Sequence, residues 1–141
     1  MPITRLQTVT SEFMSALERL MPQLSGAPLP TRGHIQSVLD SPASQILLAE
    51  EDGQIVGMLT LVIYSTPAGR HAWIEDVVVD EAFRGRQLGE ALTREAIGMA
   101  REAGAKAVSL TSRPAREAAN RLYQKMGFLR WETNLYRLLI E

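Results

Sequence analysis

Val77-Val78-Val79-Asp80-Glu81-Ala82-Phe83-Arg84-Gly85-Arg86-Gln87-Leu88-Gly89 is the stretch that decides the fold. A β-branched apolar run gives way to a short polar turn, then to Arg and Gly, and a long amphipathic helix pattern starts at about Gln87. A strand that feeds the N-terminus of a helix creates an anion site. The first backbone N–H groups there have no partner inside the helix, and the macrodipole adds partial positive charge. Gly85 and Gly89 let a ligand approach the backbone closely, and Arg84 and Arg86 add cationic forks suited to phosphate oxygens. The stretch reads as a pyrophosphate cradle.

Two known cradles are excluded by spacing. No Lys follows either Gly, so this is not a P-loop, and Gly85, Gln87 and Gly89 do not supply G-x-G-x-x-G. An ordinary basic strand-to-helix turn is the plain alternative. The run Arg84-Gly85-Arg86-Gln87-Leu88-Gly89 resembles the acetyl-CoA loop of the GNAT superfamily of N-acetyltransferases, [QR]-x-x-G-x-[GA]. Arg84 and Gly89 match, and Gln87 stands where the middle Gly belongs, which removes backbone freedom but keeps an N–H.

Working outward, the 141 residues are 45% hydrophobic, enough for one compact domain, 1–141, with a real core. Fifteen Lys and Arg against sixteen Asp and Glu give a formal charge of −1, without the basic excess a nucleic-acid surface needs. The absence of Cys removes disulfides, thiolate metal sites and a Cys nucleophile. His34 and His71 are too few and too far apart for a metal site, so no metal is expected. No segment approaches the roughly 20 apolar residues of a spanning helix. A cytoplasmic protein without membrane contact is the expectation.

Towards the N-terminus, Ile3–Thr8 alternates as a first strand, and Phe13, Leu17, Leu20 and Leu24 recur at helical spacing behind Ser11 as N-cap. Thr31 caps a short helix with Ile35, Val38 and Leu39. Gln45–Glu50 and Gln54–Tyr64 read as strands joined by Glu51-Asp52-Gly53, a strong hairpin signal. Ala72–Val79 is nearly all apolar and should run through the middle of the sheet. Beyond the cradle, a helix carries Leu88, Leu92, Ala96, Met99 and Ala103 on one face and ends at Gly104. Lys106–Thr111 is the next strand, and Ser112-Arg113-Pro114 opens a helix over Ala115–Met126 that Gly127 ends. Phe128–Trp131 and Asn134–Ile140 form a closing antiparallel pair. This order predicts an α/β fold with parallel crossover packing.

Glu75 and Asp76 interrupt the central strand. Burying an unpaired carboxylate costs several kcal/mol, and adjacent strand residues face opposite sides unless a bulge intervenes. At least one of the two is therefore expected to line a cavity. A desolvated Glu has a raised pKa and suits proton removal from an ammonium nucleophile; a structural carboxylate is the plain alternative. The strand His71–Val79 also looks like that of glucosamine-phosphate acetyltransferases.

Ala119-Asn120-Arg121-Leu122-Tyr123-Gln124-Lys125-Met126-Gly127-Phe128 resembles the second GNAT signature, N-x-x-A-x-x-L-Y-x-x-x-G-F. Ala119, Leu122, Tyr123, Gly127 and Phe128 match; Arg116 occupies the Asn position and an Asn falls at 120. The two signatures together cover residues 72–128 in the family's order.

The resemblance implies a single-domain GNAT-like fold: a mixed central sheet of about six to seven strands, splayed after the fourth, flanked by about four helices. It implies acetyl-CoA as acetyl donor, its pantetheine arm along Val77, Val78 and Val79. The pyrophosphate would lie on backbone N–H groups of Gly85, Arg86, Gln87, Leu88, Gly89 and Glu90, with Arg84 and Arg86. Arg116 or Asn120 would replace the family's Asn. Glu75, or a water it orders, would be general base and Tyr123 general acid, with direct attack by a primary amine of a small molecule or a protein. A homodimer is the expected assembly. Two alternatives are a module that binds acetyl-CoA without catalysis and an interaction domain that dimerises through Phe128–Glu141, where Trp131, Leu135, Tyr136, Leu138 and Ile140 would suit an apolar interface.

Overall fold

Asp52 and Gly53 both take positive φ, 51° and 75°, the pair of left-handed residues that a two-residue hairpin requires. They join β2 (Ser44–Glu51) to β3 (Gln54–Thr66), and a second tight turn leads into β4 (Gly69–Val79). With β1 (Ile3–Arg5) on the outer side of β2, these strands form an antiparallel meander. The structure is a computed structural model and describes residues 3–141. Residues 1 and 2 of the expected 1–141 domain lie outside the described residues.

Thr10, rather than Ser11, caps α1 (Ser11–Leu24): its hydroxyl accepts from the Phe13 N–H at 3.0 Å. Thr31 caps α2 (Arg32–Asp40) in the same way through His34. Phe13, Ala16, Leu17 and Leu20 of α1 and Ile35 of α2 pack with Ile46, Leu48, Met58 and Val78 on one face of the sheet. On the other face lies α3 (Leu88–Glu102), whose Leu92 reaches Gly57 beside Ala49. Its buried stripe is Leu88, Leu92, Thr93, Ala96 and Ala100, so Met99 and Ala103 sit at its border rather than within it. Helices on both faces explain why β3 and the apolar part of β4 read as nearly continuous hydrophobic runs.

α3 is a crossover, and β5 (Val108–Ser109) returns parallel to β4. The pairing is confined to Ala72 with Val108 and Trp73 with Ser109. Past Trp73, the β5 side of β4 is therefore open among the described residues, and the sheet splays after its fourth strand. Among the described residues the sheet has five strands in the order β1-β2-β3-β4-β5, fewer than the expected six to seven, with four α-helices. One expected strand is shorter, and one expected pair, which accounts for the count, is absent. The strand expected over Lys106–Thr111 is reduced to two residues. The expected pair Phe128–Trp131 and Asn134–Ile140 does not form: no residue from Phe128 to Glu141 is in a strand. An isolated two-stranded hairpin is marginal in water unless something covers its apolar face, and here those side chains are exposed.

The chain falls into two compact units, the first ending at Thr111 and holding the whole sheet, the second Ser112–Glu141. In the second, α4 (Glu117–Lys125) ends in a tightly closed cap. Gly127 at φ 101° lets its N–H donate to the Gln124 carbonyl at 3.1 Å, and the Phe128 N–H reaches the Tyr123 carbonyl at 2.9 Å. This is the Schellman arrangement, completed by an edge-to-face contact of the Tyr123 and Phe128 rings with centroids 5.7 Å apart.

Candidate active site

The site of the first unit is built where β4 ends. A β-bulge separates the pairs Thr60–Glu75 and Met58–Val78, so three steps on β4 oppose two on β3. Asp76 takes φ 51° there. Glu75 and Asp76, at the bulge, are both exposed, so neither carboxylate is buried within the sheet. Partial desolvation, and after it the neighbouring Asp76 charge, raise the Glu75 carboxyl above its ordinary range.

Beyond the bulge the backbone polarity of β4 can be read from one bond. The Asp80 N–H donates to the Val56 carbonyl at 2.8 Å, so Val56 and Asp80 are a hydrogen-bonded antiparallel pair. By alternation Val78 bonds to Met58, and Val79 turns its N–H and C=O to the opposite, splayed side. Its carbonyl there accepts from Arg84 Nε at 3.2 Å. Val77–Val79 thus borders an open strand edge, with the Val79 amide directed outward.

The loop that follows is fastened from α1. Asp80 is 8% exposed; its carboxylate accepts from Arg19 Nη1 at 3.2 Å and caps a 3-10 turn, Glu81–Phe83, through the Ala82 N–H at 3.1 Å. Arg19 also donates to the Ile55 carbonyl, and the Gln23 side-chain oxygen accepts from the Glu81 N–H at 2.8 Å. Arg19, Gln23 and Asp80 were not singled out in the sequence. The only signal for Asp80 was an Asp directly after a strand and ahead of a polar turn, a common capping position.

Gly85 takes φ 84° and Gln87, the N-cap of α3, φ 63°. The residue that replaces the middle Gly of the motif therefore adopts the left-handed conformation a Gly would take, at a cost of about 1–2 kcal/mol. Gln87 makes no side-chain cap bond, unlike Thr10 and Thr31 on the other helices of this unit. The helix dipole places partial positive charge at the N-terminal turn of α3, Leu88, Gly89 and Glu90, and the Gln87 side chain does not occupy it. Arg86 stands beside it, its guanidinium 5.0 Å over the Phe83 ring and 3.7 Å from the Glu51 carboxylate. Glu51, at the end of β2, is a further residue that the sequence did not flag. These elements suit a diphosphate: N–H donors at a helix end, two arginines, and glycines that leave the backbone uncovered.

The second unit carries the other expected residues. Tyr123 is buried on α4; burial raises its phenol above the ordinary range, and the Arg116 charge opposes this more weakly. It is therefore a protonated hydroxyl across the physiological range. Asn120 uses its side-chain amide on the Arg113 and Arg116 carbonyls at 2.9 and 2.8 Å, which fixes the turn into α4. Arg116 is the N-cap of α4 without a side-chain cap bond. Ser112, where this unit begins, has a buried hydroxyl with no hydrogen-bond partner among the described residues.

Known proteins resemble this chain in sequence and in fold. The model described as the Acetyltransferase (GNAT) family matches residues 10–128. A Bacillus subtilis protein described as a ribosomal protein bS18-alanine N-acetyltransferase is 31% identical over 90 residues, 64% of this chain and 57% of the relative's length. Glucosamine 6-phosphate N-acetyltransferase of Trypanosoma brucei brucei is 32% identical over 126 residues, covering 84% of this chain and 83% of its own. A structure from Agrobacterium tumefaciens, described as an acetyltransferase, superposes with a TM-score of 0.86 at 27% identity and covers 99% of this chain and 100% of its own. The splayed sheet, the strand-to-helix cradle and the match across 10–128 agree: the chain belongs to the acetyltransferase (GNAT) family.

Proposed function

We propose that residues 1–141 form one N-acetyltransferase domain that moves the acetyl group of acetyl-CoA to a primary amine by direct attack within a ternary complex. The observation that carries this reading is the open edge of β4 leading into an arginine-flanked helix N-terminus. Val77, Val78 and Val79 offer an extended strand edge to the amides of the pantetheine arm. The backbone from Gly85 to Glu90, with Arg84 and Arg86, offers donors to the pyrophosphate. The thioester supplies an activated acyl carbon. The outward Val79 N–H polarises its carbonyl, and Glu75, or a water it orders, takes the proton of the attacking ammonium. Tyr123, kept protonated by burial, returns a proton to the departing sulfur. Arg116 is a further candidate contact to the pantetheine arm. Asn120 has its amide committed to the α4 turn, which leaves it only its side-chain oxygen for that role.

A primary amine is the acceptor chemistry shared by the relatives, one named for a protein alanine and one for an amino-sugar phosphate. Small-molecule and protein amines are both in scope. The near-neutral charge fits work in the cytoplasm, away from nucleic acid and membrane. Among the described residues no helix is long and apolar enough to cross a membrane. The exposed apolar side chains beyond Phe128 support a homodimer.

The test is calorimetry of acetyl-CoA binding. Arg84→Ala/Arg86→Ala should weaken it by roughly 2–4 kcal/mol, and unchanged affinity would refute the cradle. In an amine screen, Tyr123→Phe should lower kcat by about 100-fold or more with binding intact. The solvent exposure of Glu75 favours one second reading, a module of the same fold that binds acetyl-CoA without turnover. Tight binding with no product from any amine would select it.

A further inference from the structure

The cradle loop has little of its own to hold it. Across Glu81–Arg86, among the described residues, two hydrogen bonds reach a neighbouring element. One runs from Arg84 Nε back to the Val79 carbonyl, on the strand that leads into the loop. The other runs from the Glu81 N–H to Gln23 Oε1 on α1 at 2.8 Å. The remaining bonds close the turn on itself: Ala82 and Phe83 donate to Asp80, and the Arg84 N–H reaches the Glu81 carbonyl at a long 3.4 Å. The Arg86–Glu51 pair at 3.7 Å engages an exposed side chain and leaves the backbone free.

α1 is a firm reference for that loop, because Phe13, Ala16, Leu17 and Leu20 are buried against the sheet. Arg19 and Gln23, four residues apart, share one face of the helix. The Gln23 amide is used at both ends. Its nitrogen donates to the Arg19 carbonyl at 3.0 Å and reaches the Asp80 carboxylate at 3.5 Å, while its oxygen accepts from the Glu81 N–H. Its orientation is therefore set from α1 as well as from the loop. The donors of the cradle come from two places. Arg84, Gly85 and Arg86 belong to the loop, whereas Leu88, Gly89 and Glu90 belong to α3, whose Leu88 and Leu92 are buried in the core. The two sets grip one diphosphate only when the loop holds its place against the helix to a fraction of an ångström.

We propose that Gln23 is a positioning residue for the donor: it fixes the Glu81 amide, and so the loop against α3, acting through the backbone and not on the donor itself. The proposal rests on the cradle reading, and it makes α1, 58 residues upstream of the bond it anchors, a determinant of donor affinity. Linkage is reciprocal, so a donor that orders the loop also steadies the last turn of α1 through the same bond.

Calorimetry of acetyl-CoA binding to the wild type and to Gln23→Met, with hydrogen exchange on both, tests the assignment. Methionine keeps the length of the side chain and removes its polar tip, so the variant should fold. Its affinity for acetyl-CoA should fall about 10-fold. Its amides over 81–86 should exchange faster, and those over 92–100 of α3 at the wild-type rate. Unchanged affinity, or unchanged exchange over 81–86, would overturn the positioning role and leave the cradle reading standing. A loss of protection that extends to 92–100 would make the effect one of overall stability and would overturn it too. A wild type that binds no acetyl-CoA would refute the cradle itself, and the proposal with it. The wild type alone gives a second test, even if the variant does not fold. Saturating acetyl-CoA should slow exchange over 81–86 and at Gln23, Leu24 and Ser25. Exchange at those three amides that the donor leaves unchanged would overturn the proposal.

Discussion

Asp80→Ala removes the post that fastens the cradle loop to α1, and its cost can be worked from the contacts. The charge-assisted bond from Arg19 at 3.2 Å is worth about 1 kcal/mol, because the Arg19 side chain is 37% exposed and solvent screens it. The capping bond to the Ala82 N–H at 3.1 Å is worth about another 1 kcal/mol. Gln23 Nε2 at 3.5 Å adds little. Arg19 keeps its bond to the Ile55 carbonyl and its access to water, so no charge is stranded in the core. The expected loss is about 2 kcal/mol, which in urea lowers the midpoint by about 1 M with an unchanged slope. A double-mutant cycle with Arg19→Met should return a coupling of about 1 kcal/mol. Additive single effects, or an Asp80→Ala variant within about 0.5 kcal/mol of the wild type, would refute the reasoning.

Asp76→Asn removes a charge that raises the Glu75 carboxyl. If Glu75 acts as the base, the acid limb of kcat/KM against pH should move to lower pH, and in Glu75→Gln that limb should vanish. A limb unchanged in both variants would assign it to another group. Gly127→Ala forces a side chain into φ 101° with open space around it, so the cost is pure backbone strain; thermal unfolding should show a loss of about 1–2 kcal/mol. Gly57→Ala meets the Val78 carbonyl at 3.3 Å and Ala49 and Leu92 at 3.4 Å. Denaturant unfolding should register a loss of about 1–3 kcal/mol, and a neutral result would mean that α3 shifts freely on the sheet.

Sequence and structure agree most closely where a local rule decides the outcome. Asp52-Gly53 announces its hairpin, Thr31 its helix, and Arg84–Gly89 its turn into α3, because each depends on a few adjacent residues. The register of Tyr123 with Gly127-Phe128 also has a local cause, since the same residues close the helix end. The bulge at Asp76 was open to the sequence only as a condition, because a bulge is set by pairing with β3 and not by β4 itself. Arg19, 61 residues from Asp80, leaves no local mark at all. At the C-terminus the alternation of apolar residues was legible, but alternation reports which side of a strand seeks cover, not which surface provides it. The expected hairpin failed for that reason.

The bulge has a consequence for what the strand can tolerate. Ala72 and Ile74 pair with Ile63 and Leu61, on the side of the sheet that α3 covers, whereas Val78 pairs with Met58 on the side that α1 covers. Even-numbered residues therefore point one way before Asp76 and the other way after it. Asp76 works as a half-step in the strand's count. Deleting it would restore an unbroken alternation and so exchange inside for outside along one half of β4. Either Ala72 and Ile74 would trade places with their neighbours, or Val78 would, and the outward amide of Val79 with it. A point substitution at Asp76 leaves that count intact. A one-residue deletion there cannot, and the strand that presents the cradle is fixed in length more strictly than in sequence.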